Sequence, residues 1–217
     1  MTTSLLSPEI EAYTAQHTTP ETSVLAALNR ETNLKRGDAV MLSGHVQGAV
    51  LQMLSNMIAP HHILEIGTYT GYSAICLAQG LQPDGHLHTI EVDEELEDIA
   101  ASYITQAGLR TAITQHIGAA ADIIPSIDAQ FDLVFIDADK SNYELYYDLV
   151  FPKVPIGGYI IADNVLYDGE VVLPLSAQSK NARAMVAFNE KVSADARVQH
   201  LLLAVRDGLM ILRKVAE

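Results

Sequence analysis

The sequence predicts an α/β fold: a doubly wound, mainly parallel sheet of seven strands with helices on both faces. Two observations carry this prediction. Short apolar, β-branched runs alternate with helical segments, which is typical of parallel sheets. Two further runs, residues 198–204 and 209–213, are joined by a link that is too short for a crossover helix. This last pair therefore predicts an antiparallel C-terminal hairpin.

The predicted elements follow in order along the chain. Residues 1–40 contain helical material that is broken at Thr19 and Pro20, and the second piece covers 21–30. A third helix covers Gly44–Ile58, because its apolar residues recur at a helical period. The other apolar runs lie at 62–67, 86–92, 112–118, 131–137 and 158–164, and helical segments lie at 71–80, 94–108 and 142–151. Residues 168–182 are expected to form a mobile loop, and the whole chain, 1–217, is expected to form a single domain.

The composition limits the classes of function. A formal net charge of −14 argues against a nucleic-acid partner, because phosphate binding depends on clustered Lys and Arg. Cys76 is the one cysteine, so an internal disulfide is impossible and a reducing compartment is favoured. No apolar run is long enough to suggest a membrane span, and the N-terminal residues do not resemble a signal peptide. We therefore expect a cytoplasmic protein that acts on small molecules, with neither a nucleic acid nor a membrane as partner.

Carboxylates and an amide follow two of the predicted strands directly. Asp137 ends the run at 131–137, and Asp163 and Asn164 end the run at 158–164. Ligands of parallel α/β sheets bind beyond the carboxyl ends of the strands, so these three side chains are expected to converge there. Their oxygen atoms suit a hard cation, and Lys140 follows close behind as a candidate base.

A glycine loop follows the first strand of the sheet. Gly67 and Gly71 stand between Glu65 and Ser73, where a strand passes into a helix, and Glu91 ends the next strand. Such a loop lets backbone approach a ligand closely, and the acid after the second strand can accept hydrogen bonds from ribose hydroxyls. The glycine spacing is not the one typical of dinucleotide sites, and the charge of Glu65 would repel a pyrophosphate. S-adenosylmethionine, which is cationic, therefore fits better than NAD.

These motifs together resemble the cation-dependent O-methyltransferases, which include catechol O-methyltransferase and the caffeoyl-CoA O-methyltransferases of the bacterial and plant type. The resemblance runs from about residue 24 to the C-terminus and ends in Asp207, Gly208 and Leu209. It implies a class I methyltransferase fold, and family members are commonly homodimers. The N-terminal helical segment, 1–43, would then contribute to the substrate site or to the dimer interface.

The resemblance also implies a role for each matching residue. Asp137, Asp163 and Asn164 would bind the metal, normally Mg²⁺ but alternatively Mn²⁺ or Ca²⁺, and Lys140 would be the catalytic base. Residues that match cofactor positions are Met41, Ser43, Glu65, Gly67, Thr68, Tyr69, Gly71, Ser73, Glu91, Ala120, Asp137, Asp139 and Tyr146. Residues expected at the substrate are Met41, Lys140, Asn164 and Tyr167. The chain has no Trp, although many relatives carry one where Tyr167 stands, which leaves the acceptor open.

The charge pattern suggests how a hydroxyl would be methylated. Two adjacent aromatic hydroxyls on a divalent cation become more acidic, and a desolvated Lys140 with a lowered pKa would take the proton. The phenolate would then attack the sulfonium methyl group. An NAD-dependent oxidoreductase, or a methyltransferase with another class of acceptor, is the alternative. Asp139 could equally cap the helix that follows it.

Overall fold

The computed structural model describes residues 6–217 and contains a seven-stranded sheet. Its strands, in chain order, are β1 (His62–Ile66), β2 (His86–Glu91), β3 (Ile113–Ile117), β4 (Leu133–Ile136), β5 (Tyr159–Asp163), β6 (Val198–Leu203) and β7 (Leu209–Lys214). The spatial order is β3-β2-β1-β4-β5-β7-β6. The first five strands pair in parallel, whereas β7 runs antiparallel to both β5 and β6. The predicted parallel sheet and its antiparallel C-terminal hairpin are therefore confirmed.

Eight α-helices among the described residues surround this sheet, together with several single 3₁₀ turns. The helices are α1 (Pro8–Gln16), α2 (Ser23–Lys35), α3 (Gly44–Ile58), α4 (Tyr72–Ala78), α5 (Glu97–Gln106), α6 (Ala120–Ile123), α7 (Tyr143–Val150) and α8 (Lys180–Ala194). The break at Thr19 and Pro20 is confirmed, and α2 extends five residues beyond its predicted end at Arg30. The first five residues of the predicted N-terminal helical segment lie outside the described residues. No helix in the described part is long and apolar enough to cross a bilayer.

The prediction of a loop over 168–182 is confirmed only for 173–179, which form neither helix nor strand, and it is wrong at both ends of the segment. Residues Tyr167–Val172 form 3₁₀ turns, and α8 begins at Lys180, where Ser179 caps the helix by accepting a hydrogen bond from Ala182 N. One face of α8 is buried, through Ala182, Met185, Phe188 and Val192. The spacing of these four residues is helical, but the polar residues at the start of the segment resemble a loop.

The sheet is covered on both faces, which explains the continuous apolar runs of its central strands. All four residues of β4 are buried, and their side chains alternate between two cores. One core joins the sheet to α6, α7 and α8, and the other joins it to α2, α3, α4 and α5. Helices of both cores reach the carboxyl ends of β1, β2, β4 and β5, where the polar residues of the predicted site lie.

Candidate active site

A cavity of about 810 Å³ opens at the carboxyl edge of the sheet. Its walls come from the ends of β1, β2, β4 and β5, from the 40–43 segment before α3, and from the start of α8. The predicted residues that line it are Met41, Ser43, Gly67, Thr68, Tyr69, Ser73, Glu91, Ala120, Asp137, Asp139, Lys140, Tyr146, Asp163, Asn164 and Tyr167. Glu65 and Gly71 stand behind this wall rather than on it.

The glycine loop lies against the end of β4. Gly67 has φ +103°, and a Cβ atom there would lie 1.9 Å from the carbonyl oxygen of Asp137. Only glycine permits this approach, because any side chain would collide with backbone. The close approach places the loop backbone directly beside the first candidate metal ligand.

Glu91 is held by backbone N–H groups of the glycine loop and of the two residues that follow Glu91 in sequence. Its Oε2 accepts a hydrogen bond from Tyr69 N at 2.7 Å, and its Oε1 accepts from Val92 N and Asp93 N at 2.9 and 3.0 Å. Three backbone donors fix the carboxylate on the cavity wall. Because two oxygens offer about four lone-pair sites, it retains capacity to accept from a ligand hydroxyl.

Glu65 is fully buried beneath the glycine loop. Its Oε2 accepts a hydrogen bond from Thr89 Oγ1 at 2.6 Å, whereas its Oε1 has no hydrogen-bond partner. Burial raises the pKa of Glu65 to about 8, against the opposing effect of the nearby hydroxyls of Ser73 and Thr89, and the charges of Asp137 and Glu91 add to the rise. A buried carboxylate with an unpaired oxygen beside a cavity suits a cationic ligand group.

Asp163 and Asp137 bring two carboxylates together on the cavity wall. Asp163 is 3% exposed, and burial together with the charge of Asp137 raises the pKa of Asp163 to about 7. Asp163 Oδ1 accepts from Asn164 N at 2.7 Å, and Oδ2 accepts from Gln47 Nε2 at 2.5 Å. Asn164 itself adopts φ +58°, a left-handed conformation that Asn tolerates better than most residues. The chain therefore turns sharply at the point where the third candidate ligand meets the cavity.

Lys140 lies beside this carboxylate pair. Its Nζ donates to Asp137 Oδ1 at 3.1 Å and to Tyr143 Oη at 2.7 Å. Burial lowers the pKa of Lys140, but the neighbouring Tyr143 and Asp137 outweigh burial and raise the pKa above its ordinary value. The predicted lowering of this pKa is therefore wrong for the chain by itself, because the ammonium gains more from its partners than it loses by desolvation.

Asp139 organises the wall that follows Lys140. Its carboxylate accepts hydrogen bonds from Tyr146 Oη at 2.5 Å and from Asn142 Nδ2 at 2.6 Å. Asp139 occupies the N-cap position of the 3₁₀ turn after β4, yet its side chain does not accept a capping bond there. The cap expected as its alternative role is thus absent, and its contacts join α7 to the cavity.

Arg206 joins the β6–β7 turn to the 40–43 segment at one border of the cavity. Arg206 lies in the β6–β7 turn, and its Nη1 donates to Leu42 O at 2.9 Å and to Ser43 O. At another part of the rim, Asn181 of α8 donates to Tyr167 Oη at 2.8 Å. Sequence reasoning missed Arg206 and Asn181, although Arg206 directly precedes the Asp207–Gly208 pattern noted above.

Asp137, Asp163 and Asn164 form the candidate donor set for a divalent cation. Residues 6–217 contain no group of three or more His, Cys, Asp or Glu side chains arranged to hold a metal ion. The predicted set has two carboxylates and one amide, and the amide residue, Asn164, is not one of those four residue types. Asp137 and Asp163 carry more negative charge than the single ammonium of Lys140 balances, and their donors are oxygens. This chemistry fits a hard divalent cation.

The fold and the site together define a class I methyltransferase. The structure combines three features of this class: a mainly parallel sheet with an antiparallel β7, a glycine loop after β1, and an acidic residue at the end of β2. The family model described as O-methyltransferase matches residues 15–215, and the chain belongs to this O-methyltransferase family. This membership decides against the NAD-dependent oxidoreductase.

Curated relatives and solved structures agree with this assignment. The chain is 31% identical over 198 residues to caffeoyl-CoA O-methyltransferase 1 of Arabidopsis thaliana, covering 86% of this chain and 76% of the relative. It resembles the structure of the O-methyltransferase TomG from Streptomyces achromogenes in complex with SAM, with a TM-score of 0.87, 28% identity and 96% coverage of both chains. An O-methyltransferase from Bacillus cereus in complex with SAH gives a TM-score of 0.83, 32% identity, and coverage of 95% of this chain and 97% of that one.

Proposed function

We propose that this protein transfers a methyl group from S-adenosylmethionine to one hydroxyl of a vicinal aromatic diol, of the catechol or caffeoyl type, with the help of a divalent cation. The observation that carries the proposal is the convergence of Asp137, Asp163, Asn164 and Lys140 on one cavity. The glycine loop lines the same cavity, so methyl donor and acceptor would meet there. Relatives named caffeoyl-CoA O-methyltransferases support this class of acceptor.

The glycine loop and its neighbours would bind the methyl donor. When bound, S-adenosylmethionine supplies a methyl group on a positively charged sulfur. Glu91, held by three backbone N–H groups, is placed to accept hydrogen bonds from ribose hydroxyls. Glu65, whose raised pKa keeps it protonated in the ligand-free protein at pH 7, would release its proton beside the cationic amino-acid part and supply a buried negative charge there. Asp139 and Tyr146 form a further wall of the same cavity. Structures of similar methyltransferases in complex with SAM or SAH support this assignment.

Asp137, Asp163 and Asn164 would hold the cation. When bound, a divalent cation binds adjacent hydroxyls and increases their acidity, and its charge offsets that of the two carboxylates. The oxygen donors suit Mg²⁺, with Mn²⁺ and Ca²⁺ as alternatives.

Lys140 is the residue that we assign to accept the proton of the acceptor hydroxyl. Its Nζ stands on the cavity wall between Asp137 and Tyr143, within reach of a group that contacts the candidate metal ligands. Because Asp137 and Tyr143 favour the ammonium form, Lys140 can take this proton only as the neutral amine, which the charge of a bound divalent cation would favour. The O–H proton would then pass to Lys140, the oxygen would form a bond to the methyl carbon, and the carbon–sulfur bond would break. Met41 and Tyr167 line the same cavity and would enclose the acceptor. The predicted homodimer and cytoplasmic location stay predictions of the sequence.

The proposal is tested by methylation of catechol, caffeate and caffeoyl-CoA, with Mg²⁺ and with excess EDTA. We expect wild-type protein to methylate at least one of these diols and to lose this activity in EDTA. Asp163→Ala should abolish the Mg²⁺-dependent rate because it removes a carboxylate ligand. Asp128→Ala is the matched control, since Asp128 is exposed and precedes β4 at the opposite edge of the sheet. Full activity in EDTA, or an unchanged rate in Asp163→Ala, would refute the metal-dependent reaction.

A further inference from the structure

Gln47 makes a buried contact with the candidate metal ligand Asp163. Gln47 belongs to α3, is 1% exposed and does not line the cavity. Its Nε2 donates to Asp163 Oδ2 at 2.5 Å across 116 residues of sequence. A buried amide would lose a hydrogen bond if this contact were broken, so the contact constrains both side chains.

We propose that Gln47 is a positioning residue that holds the carboxylate of Asp163 in the orientation needed to bind a divalent cation. This inference rests on the proposed function and adds a residue that acts only through Asp163. Groups that orient metal ligands by hydrogen bonds commonly control metal affinity nearly as strongly as the ligands do.

The hydrogen bonds of Asp163 show why its orientation is fixed. Its Oδ1 accepts from Asn164 N and its Oδ2 accepts from Gln47, so each oxygen has one protein donor. Each oxygen keeps a second lone pair for another partner. The Asp163 carbonyl oxygen also accepts from Tyr143 Oη at 3.0 Å. Backbone and side chain of Asp163 are thus held from different directions.

The chemistry of Gln47 suits this role. A neutral amide orients Asp163 without cancelling its charge, whereas a lysine in the same place would compete with the cation. The one ammonium at the site, Lys140, pairs with Asp137 instead. Among the described residues Asp163 therefore makes no ion pair that a bound cation would have to displace.

Close packing of α3 on α4 lets Gln47 reach Asp163. A Cβ atom at Gly48 would lie 2.6 Å from Tyr72 Cε1 and 2.9 Å from Cys76 Sγ, both on α4. The absence of a side chain at Gly48 therefore brings the two helices together, and Gln47, its neighbour in sequence, is placed against the end of β5.

Mn²⁺ is the probe for this inference, and its binding to the full chain can be followed from the electron paramagnetic resonance signal of free Mn²⁺. Gln47→Met keeps the length of the side chain but cannot donate a hydrogen bond. We expect it to weaken Mn²⁺ binding by about 10- to 100-fold. The concentration of Mn²⁺ needed for half-maximal methylation should rise to a similar extent, and turnover should recover at saturating Mn²⁺.

Ser55→Ala is the matched control. Ser55 is also buried on α3, and its Oγ donates to Leu77 O at 2.6 Å, so the variant removes a buried hydrogen bond of α3 away from Asp163. We expect it to bind Mn²⁺ like the wild type. Calorimetric binding of S-adenosylhomocysteine shows that each variant retains the cofactor site.

Three results separate the possible failures. If Gln47→Met binds S-adenosylhomocysteine and also binds Mn²⁺ as tightly as the wild type, the positioning role is overturned and the proposed function is unaffected. If Ser55→Ala weakens Mn²⁺ binding as much as Gln47→Met, the effect belongs to packing of α3 and the role is likewise overturned. If the wild type itself fails to bind Mn²⁺, the metal-dependent function fails together with this inference.

Discussion

Glu65→Gln is expected to stabilise the ligand-free protein while weakening its hold on the methyl donor. Glu65 is fully buried, has one oxygen without a partner, and has a pKa raised from 4.5 to about 8. Glutamine has the same shape and no charge, and the hydroxyls of Thr89 and Ser73 can rotate to donate or accept. The substitution therefore removes the cost of burying a carboxylate without leaving a cavity.

The size of the gain follows from linkage between protonation and folding. The folded protein retains the Glu65 proton up to about pH 8, whereas the unfolded chain loses it near pH 4.5. A raised acid pKa contributes stability below pH 4.5 that is lost as pH rises through 8. At about 1.4 kcal/mol for each pH unit, the loss is at most about 3 kcal/mol at pH 7 and about 5 kcal/mol above pH 8.

Urea unfolding of wild type and Glu65→Gln between pH 5 and pH 9 measures this difference. We expect the variant to become progressively more stable than wild type as pH rises, with the difference levelling off above pH 8. Calorimetry at pH 7 should show weaker binding of S-adenosylmethionine, because wild-type Glu65 can release its proton when the cationic donor binds, whereas glutamine cannot supply a negative charge. Equal pH dependence in the two proteins, or a variant less stable at pH 9, would refute the reasoning.

Two further substitutions test other parts of the molecule. Lys140→Met should lower turnover by about 10²- to 10⁴-fold, as loss of a general base does, and leave the calorimetric affinity for S-adenosylhomocysteine unchanged; an unchanged rate would exclude Lys140 as the base. Burial, with the charges of His86 and His116, lowers the pKa of His88 to about 4, so its stabilising contribution is present above pH 6.5 and lost as pH falls toward 4. As pH falls from 6.5 to 4, the free energy of unfolding of His88→Gln should therefore decrease by about 1–2 kcal/mol less than that of wild type, after allowance for solvent screening. Urea unfolding measures both values, and an equal decrease in the two proteins would contradict this expectation.

The sequence predicted those parts of the site that depend on strand ends. Asp137, Asp163 and Asn164 each follow an apolar run, and strands β4 and β5 are neighbours in parallel, so chain order alone brings them to one edge. Gln47 could not be found in this way, because its contact with Asp163 depends on how closely α3 packs against α4. Contacts that join distant elements through a helix crossing leave no local pattern in sequence.

The pKa of Lys140 shows a second limit of prediction from sequence. Sequence predicts that the residue is desolvated near a charged group, which alone would lower its pKa. The direction of the pKa shift depends on distances. Asp137 Oδ1 lies 3.1 Å and Tyr143 Oη lies 2.7 Å from Lys140 Nζ, and these two neighbours raise the pKa instead of lowering it. Helix α8 was missed for a different reason, since its buried face has a helical spacing that begins only after a polar stretch resembling a loop.

The charge of Asp137 acts on the two buried carboxyl groups of the site. Burial is the main cause of the raised pKa of Glu65, beneath the glycine loop, and of Asp163, at the end of β5, and the charge of Asp137 adds to both shifts. This arrangement destabilises the empty protein but would favour two cationic partners, the methyl donor and the proposed divalent cation. Methyl transfer converts the positively charged donor into neutral S-adenosylhomocysteine, so the attraction weakens only after reaction. The buried carboxylates would therefore bind S-adenosylmethionine more strongly than S-adenosylhomocysteine. Because both molecules carry the amino-acid ammonium, Glu65→Gln should weaken the calorimetric affinity for each of them.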